Sequence, residues 1–206
     1  MLSMKIMFRL LPATLGLAAP VAQGAVLSYT EVFRYLESGL TTYQSTDPFA
    51  DSELSIAGLD SLAMQRLALG DSAIVLSSRI AGLTGRGTSF LKVTFSLDEP
   101  SVWSLTGSFG LLGSDGIACV SFQDMAHRET TIVNEIIFAP PLVSETRALQ
   151  FGGVLAAGSY SLEAMIYGGG DNQMARASID AVFTIPEPGA SLLSVAALML
   201  AARRRR

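Results

Sequence analysis

From about residue 72 to residue 185 the sequence alternates apolar and polar residues with a period of two. Leu91, Val93, Phe95 and Leu97 alternate with Lys92, Thr94 and Ser96. Trp103 and Leu105 alternate with Ser104 and Thr106. Tyr160, Leu162, Ala164 and Ile166 alternate with Ser159, Ser161 and Glu163, and Ala175, Ala177, Ile179, Ala181 and Phe183 with Arg176, Ser178 and Asp180. Successive side chains of an extended chain point to opposite faces, so this period demands strands covered on one side. Weaker alternation runs through Ile74, Leu76 and Ile80, through Ala118, Val120 and Phe122, and through Ile132, Ile136 and Phe138.

Turn-forming stretches separate these runs: residues 82 to 87, Asp98-Glu99-Pro100, residues 113 to 116, Pro140-Pro141, Ala157-Gly158 and Gly168 to Asn172. The spacing predicts seven or eight short strands in an all-β, antiparallel, jelly-roll-like β-sandwich. Leu91, Val93, Phe95, Leu162, Ile179 and Phe183 should be buried in its core. Residues 25 to 70 leave two options open. Ser28-Tyr29-Thr30-Glu31 has capping-box spacing with Gly39 as a stop, although strand or loop fits better. Leu59, Leu62, Ala63 and Leu67 have helical spacing before Gly70, yet tertiary pairing can override it.

Half of the 206 residues are hydrophobic and only 16% are charged, which excludes a disordered chain. Charge is distributed unevenly. Lys5 and Arg9 lie near one end and Arg203, Arg204, Arg205 and Arg206 at the other. Residues 25 to 185 hold eight basic and seventeen acidic side chains, a formal charge of −9. A body this acidic repels phosphate backbones, so nucleic acid is excluded as a partner.

The two ends read as export and sorting elements. Lys5 and Arg9 precede an apolar stretch built on Leu10, Leu11, Ala13, Leu15, Leu17 and Ala18. Pro12 and Pro20 argue against a buried helix there. Ala22-x-Gly24 places signal cleavage between Gly24 and Ala25. At the other end, Pro186-Glu187-Pro188-Gly189 stops regular structure. Ala190 to Ala202 follows, uncharged and helix-prone, and then four arginines. Thirteen helical residues rise about 20 Å. A bilayer core is about 30 Å thick. The segment is therefore short for a permanent span, and the arginines form a cytoplasmic stop.

Pro186-Glu187-Pro188, the apolar helix and the Arg203–Arg206 cluster, in that order, resemble the PEP-CTERM sorting domain of exported bacterial proteins. The resemblance implies recognition by an exosortase, a membrane-embedded cysteine protease or transpeptidase. It implies passage through the inner membrane on Ala190–Ala202, then delivery to the cell envelope, cell surface or extracellular matrix. Hosts of such systems are typically Gram-negative bacteria that make extracellular polysaccharide. Phe95-Ser96-Leu97-Asp98 and the stretch from Gly153 to Tyr160 also resemble the bodies of many proteins with this tail.

Chemistry within the body is sparse. His127 is the one histidine and sits in a polar loop, Asp124 to Glu129. With a single Cys119 beside it in the inventory, no transition-metal ligand set is available and no cofactor is expected. Cys119 lies in the apolar run Ile117 to Val120 and reads as a core residue. No Gly-x-Ser-x-Gly elbow supports a triad built on His127. Asp51 with Glu53, and Asp98 with Glu99, are the nearest carboxylate pairs for glycoside hydrolysis, but both read as loop or turn residues. Asp171 and Asn172 offer oxygen ligands to calcium without an EF-hand spacing, so a glycine-rich turn fits better. Trp103, Tyr43, Tyr160 and Tyr167 are the candidates for stacking on sugar, with Trp103 and Tyr160 expected in the core. The expectation is a non-enzymatic envelope or matrix protein, with a carbohydrate-binding module as the alternative.

Overall fold

The computed structural model describes residues 25–47, 53–58, 61–82, 86–112, 115–127, 130–139, 144–169 and 175–186. They form twelve strands and no helix. The first four are β1 (Leu27–Ser38), β2 (Thr41–Ser45), β3 (Glu53–Ala57) and β4 (Ser61–Leu69). The other eight are β5 (Ala73–Gly82), β6 (Arg86–Leu97), β7 (Ser101–Leu112), β8 (Asp115–Asp124), β9 (Thr131–Ala139), β10 (Glu145–Leu155), β11 (Gly158–Gly169) and β12 (Ala175–Thr184). All pairings are antiparallel. The first sheet has the order β2-β1-β6-β11-β8-β9 and the second the order β10-β7-β12-β5-β4-β3. The fold is a β-sandwich.

Strands β5 to β12 pair as a nested set. β8 bonds to β9, β7 to β10, β6 to β11 and β5 to β12. The pairs alternate between the two sheets. Every turn-forming stretch named from the sequence lies at a junction of this set. The remaining strands extend it: β1 and β2 continue the first sheet beside β6, and β4 and β3 continue the second beside β5.

The two segments left open in the sequence are strands β1 and β4, and with β2 and β3 they bring the expected seven or eight strands to twelve among the described residues. β1 pairs with β6 from Leu27↔Leu97 to Ser38↔Gly87, with a bulge between Tyr29 and Glu31. β4 pairs with β5 along its whole length. Ser61, Ala63, Gln65 and Leu67 point inward, so a period of two replaces the helical spacing of Leu59, Leu62, Ala63 and Leu67. Helical spacing is a local preference; nine residues of pairing with β5 outweigh it.

Leu91, Val93, Phe95, Leu162, Ile179 and Phe183 are all fully buried, as the alternation requires. Rings from both sheets meet at the centre. Phe95, Phe122 and Tyr160 of the first sheet face Trp103 and Phe183 of the second. The Phe95–Phe183 centroids lie 5.1 Å apart and the Trp103–Phe122 centroids 5.0 Å apart. Tilted pairs at such distances add to plain area burial.

Two expectations need correction. On β9 the inward residues are Val133 and Ile137, whereas Phe138 is exposed, so the phase is opposite to the Ile132-Ile136-Phe138 reading. Cys119 is not a core residue. Ala118 and Val120 fill the core, and the intervening Cys119 lies half-buried on the outer face.

The two ends of the described body meet. The amide of Leu27 donates to the carbonyl of Asp71 at 3.0 Å, and that of Ile185 to the carbonyl of Ser72 at 2.9 Å. Ala25 and Ile185 are both buried members of the core. Gly24, Glu187, Pro188, Ala190–Ala202 and Arg203–Arg206 lie outside the described residues. Among the described residues no helix is long and apolar enough to cross a membrane.

Candidate functional site

Among the described residues, those flagged for catalysis do not converge. His127 is exposed and its Nδ1 lies 3.0 Å from Asp124 Oδ2. Asp124 Oδ1 also accepts the backbone N–H groups of Ala126 and His127. The His127 hydrogen bond, followed by those backbone donors, holds the Asp124 carboxyl below the usual carboxylate range. The pair therefore closes a surface turn. Asp98 Oδ1 accepts the Val26 N–H at 3.3 Å, which ties the β6–β7 turn to the start of the body. Glu53 is exposed at the start of β3; Asp51, Asp171 and Asn172 lie outside the described residues. Among the described residues no group of three or more His, Cys, Asp or Glu side chains is placed to hold a metal ion.

The candidate aromatics separate cleanly. Trp103 and Tyr160 are buried, and Tyr43 packs against the core from β2. Tyr167 stays on the outer face of the first sheet, where Arg86 Nη1 donates to its hydroxyl at 3.0 Å. It belongs to a larger feature that sequence reading missed.

The register of the first sheet aligns its outward residues into cross-strand rows. Tyr35 of β1 pairs with Phe90 of β6, Phe90 with Met165 of β11, Met165 with Cys119 of β8, and Cys119 with Ile136 of β9. The row crosses five strands without a charged residue, about 19 Å at ordinary strand spacing. On one side, Thr88, Tyr167, Ile117 and Phe138 form the next row, with Glu37 at its β1 end. On the other, Phe33 pairs with Lys92 and packs on Phe90 with centroids 5.8 Å apart. Phe138 is 65% exposed; the others are half-buried by one another.

Polar groups rim this band. Lys92 Nζ lies 3.7 Å from Glu163 Oε1. Glu37 Oε2 accepts the hydroxyls of Tyr35 at 3.0 Å and Thr88 at 3.3 Å. Burial, with Glu163 nearby, pushes the Cys119 thiol up, which keeps it protonated and unreactive. Arg86 and Lys92 stand against Glu31, Glu37 and Glu163 on this face, so among these residues it carries only one of the body's excess negative charges.

The second sheet has a different outer face. Among the described residues its outward positions carry no aromatic. A shallow groove of about 420 Å³ is lined by Met64, Arg66, Ser77, Arg79, Thr106 and Asp180. Ser77 Oγ donates to Asp180 Oδ1 at 2.6 Å and Arg79 Nη2 lies 3.6 Å from Asp180 Oδ2. Beside these internally paired polar groups the same face exposes the aliphatic side chains Leu62, Val75, Val102, Leu112 and Val154.

A second feature escaped the sequence reading. Arg34, Gln65, Ser78 and Ser89 are buried between the sheets. Arg34 Nε donates to Gln65 Oε1 at 3.3 Å, and Gln65 Nε2 to Ser89 Oγ at 2.8 Å and the Phe90 carbonyl at 2.9 Å. Ser89 Oγ donates to Ser78 Oγ at 3.0 Å. Each of these polar residues occupies an inward position of its strand, and that break in the apolar rows was the available signal.

No protein-family model and no curated protein matches the chain. Solved structures of infectious bursal disease virus, from its Gt and Gx strains, match at 11% identity with TM-scores of 0.29 and 0.27. They cover 82% and 81% of this chain, which spans 58% and 56% of theirs. A VP2 subviral particle of the same virus matches with a TM-score of 0.26. Likeness at this level carries no argument about function.

Proposed function

We propose that the protein is an exported, sorted structural or interaction protein of the bacterial cell envelope or extracellular matrix. In this reading a signal peptide ends at Gly24–Ala25. The tail is read by an exosortase at Pro186, Glu187 and Pro188, held transiently in the inner membrane by Ala190–Ala202 and stopped by Arg203–Arg206. The observation that carries the reading is the terminal order Pro186-Glu187-Pro188, apolar segment and four arginines, paired with an apolar N-terminal segment behind Lys5 and Arg9. The nested pairing of β5 to β12 supports the finer reading of the body as a jelly roll, extended by two strand pairs.

The test is the intact mass of the mature protein recovered from its native host. The proposal expects a chain that begins near Ala25 and is altered at or near Pro186–Pro188. An unaltered chain from Met1 to Arg206 would refute it.

A polysaccharide-binding module is the second reading. What favours it is the placement of Phe33, Tyr35, Phe90 and Tyr167 on one sheet face, with hydrogen-bonding groups around them.

A further inference from the structure

We infer that the outer face of the first sheet is a self-association surface, and that its occupant is a second copy of this chain packed face to face about a two-fold axis. The inference stands apart from the sorting tail.

Three observations converge on it. The first is the row Tyr35, Phe90, Met165, Cys119 and Ile136, flanked by Phe33, Ile117 and Phe138. Aromatic residues and Met are what the buried centre of a protein interface collects. Met165, Cys119, Ile117 and Ile136 offer no flat ring to a sugar. They suit interdigitation with another apolar face, as when two sheets pack.

The second is electrostatic. Two bodies that each carry −9 repel one another, so association favours a face that holds little of that excess. The outer face of the first sheet meets that condition, with Arg86 and Lys92 set against Glu31, Glu37 and Glu163. Membranes rich in anionic lipid are disfavoured by the same overall charge.

The third is symmetry. A two-fold interface is self-complementary, so each group must meet its own complement in the copy. Lys92 and Glu163 are directly opposed neighbours of opposite sign at the border of the band. A two-fold axis near them brings Lys92 of one copy to Glu163 of the other, and the reverse. With only about a quarter of each side chain exposed, the pair is already partly desolvated and has little further solvation to lose.

The experiment is sedimentation equilibrium of residues 25–186, whose core is complete within those limits because both Ala25 and Ile185 belong to it. The expected result is a reversible dimer. Phe90→Lys and Met165→Lys should each raise its dissociation constant at least about tenfold, as the loss of central contacts does. Lys92→Glu should do the same, and adding Glu163→Lys should restore the dimer. Val102→Lys, on the outer face of the second sheet, should change nothing. Circular dichroism of each variant checks that the sandwich persists. A monomer at every concentration overturns the inference, and so does a dimer that ignores all the first-face variants. A monomer that is retarded on a neutral polysaccharide matrix, in a manner lost with Phe90→Lys, also overturns it and gives the face to a glycan.

Discussion

A Cβ placed on Gly107 of β7 would overlap the carbonyl oxygen of Asp180 on the neighbouring strand β12. Gly107 has φ of +149°, a conformation that residues with a side chain rarely adopt. Contact and conformation thus demand glycine at the same place, in the middle of the β7–β12 pairing that sits inside the nested set. Gly107→Ala should destabilise the body by at least about 2 kcal/mol, from backbone strain and the enforced shift of β12. Urea unfolding of residues 25–186 measures it. A change below 0.5 kcal/mol, on the order of an ordinary surface substitution, would show that β12 yields freely there.

Phe95 contacts the rings of Phe122, Tyr160 and Phe183 and is fully buried. Phe95→Ala removes one of the rings through which the two sheets touch. The expected cost is about 3–5 kcal/mol, read from the urea midpoint at unchanged slope.

The buried polar cluster gives a third prediction. Gln65→Leu removes one side-chain hydrogen bond each from Arg34 and Ser89 in the core, and should cost about 2–3 kcal/mol. Arg34→Met combined with Gln65→Leu should cost less than the two single changes added together, because the pair is removed as a unit. A double-mutant cycle with strict additivity would show that the two side chains act independently.

Tyr29 gives the alkaline prediction. Its hydroxyl donates to the carbonyls of Gly70 and Ala73, and burial pushes its pKa from 10.0 to about 12. The folded state therefore keeps this proton longer than the unfolded chain does. Its stabilising contribution is complete below pH 10 and is lost as pH rises from 10 towards 12. Tyr29→Phe should flatten that part of the stability–pH profile and leave the part below pH 9 parallel to wild type. Denaturant titrations at a series of pH values check it.

The fold was legible wherever one face of a strand was wet. The alternation at Leu91–Leu97, Tyr160–Ile166 and Ala175–Phe183 stated both strand and core face. On β8 it placed Ala118, Val120 and Phe122 inward correctly, but Cys119 was also taken as core, and on β9 the phase was wrong, for a physical reason. Ile117-Ala118-Cys119-Val120 and Ile136-Ile137-Phe138 are continuous apolar runs, and a continuous run carries no phase. Cys119 was assigned inward and Phe138 was put in the wrong row for that reason. The same runs, with Phe90-Leu91 and Ala164 to Tyr167, held the mark of the outer apolar band. Strands apolar on both sides are covered on both sides. Which residues share a row depends on register across β1, β6, β11, β8 and β9, and no local pattern encodes that. The cluster of Arg34, Gln65, Ser78 and Ser89 was hidden likewise, since it is assembled from four strands.

The central claim is that Pro186-Glu187-Pro188 is a sorting signal and not an inert joint before an anchor. Proline disfavours both helix and ladder pairing, and in this account Glu187 is the charge that the enzyme reads. Replacing the four arginines with Ser should remove the stop and release full-length protein outward. The most direct measurement is fractionation with intact mass of a variant in which Pro186, Glu187 and Pro188 are all Ala, expressed in a host that carries the processing enzyme. The account predicts an unprocessed precursor held in the inner membrane. A triple-alanine variant processed and delivered like wild type would contradict it and leave Ala190–Ala202 as a plain anchor.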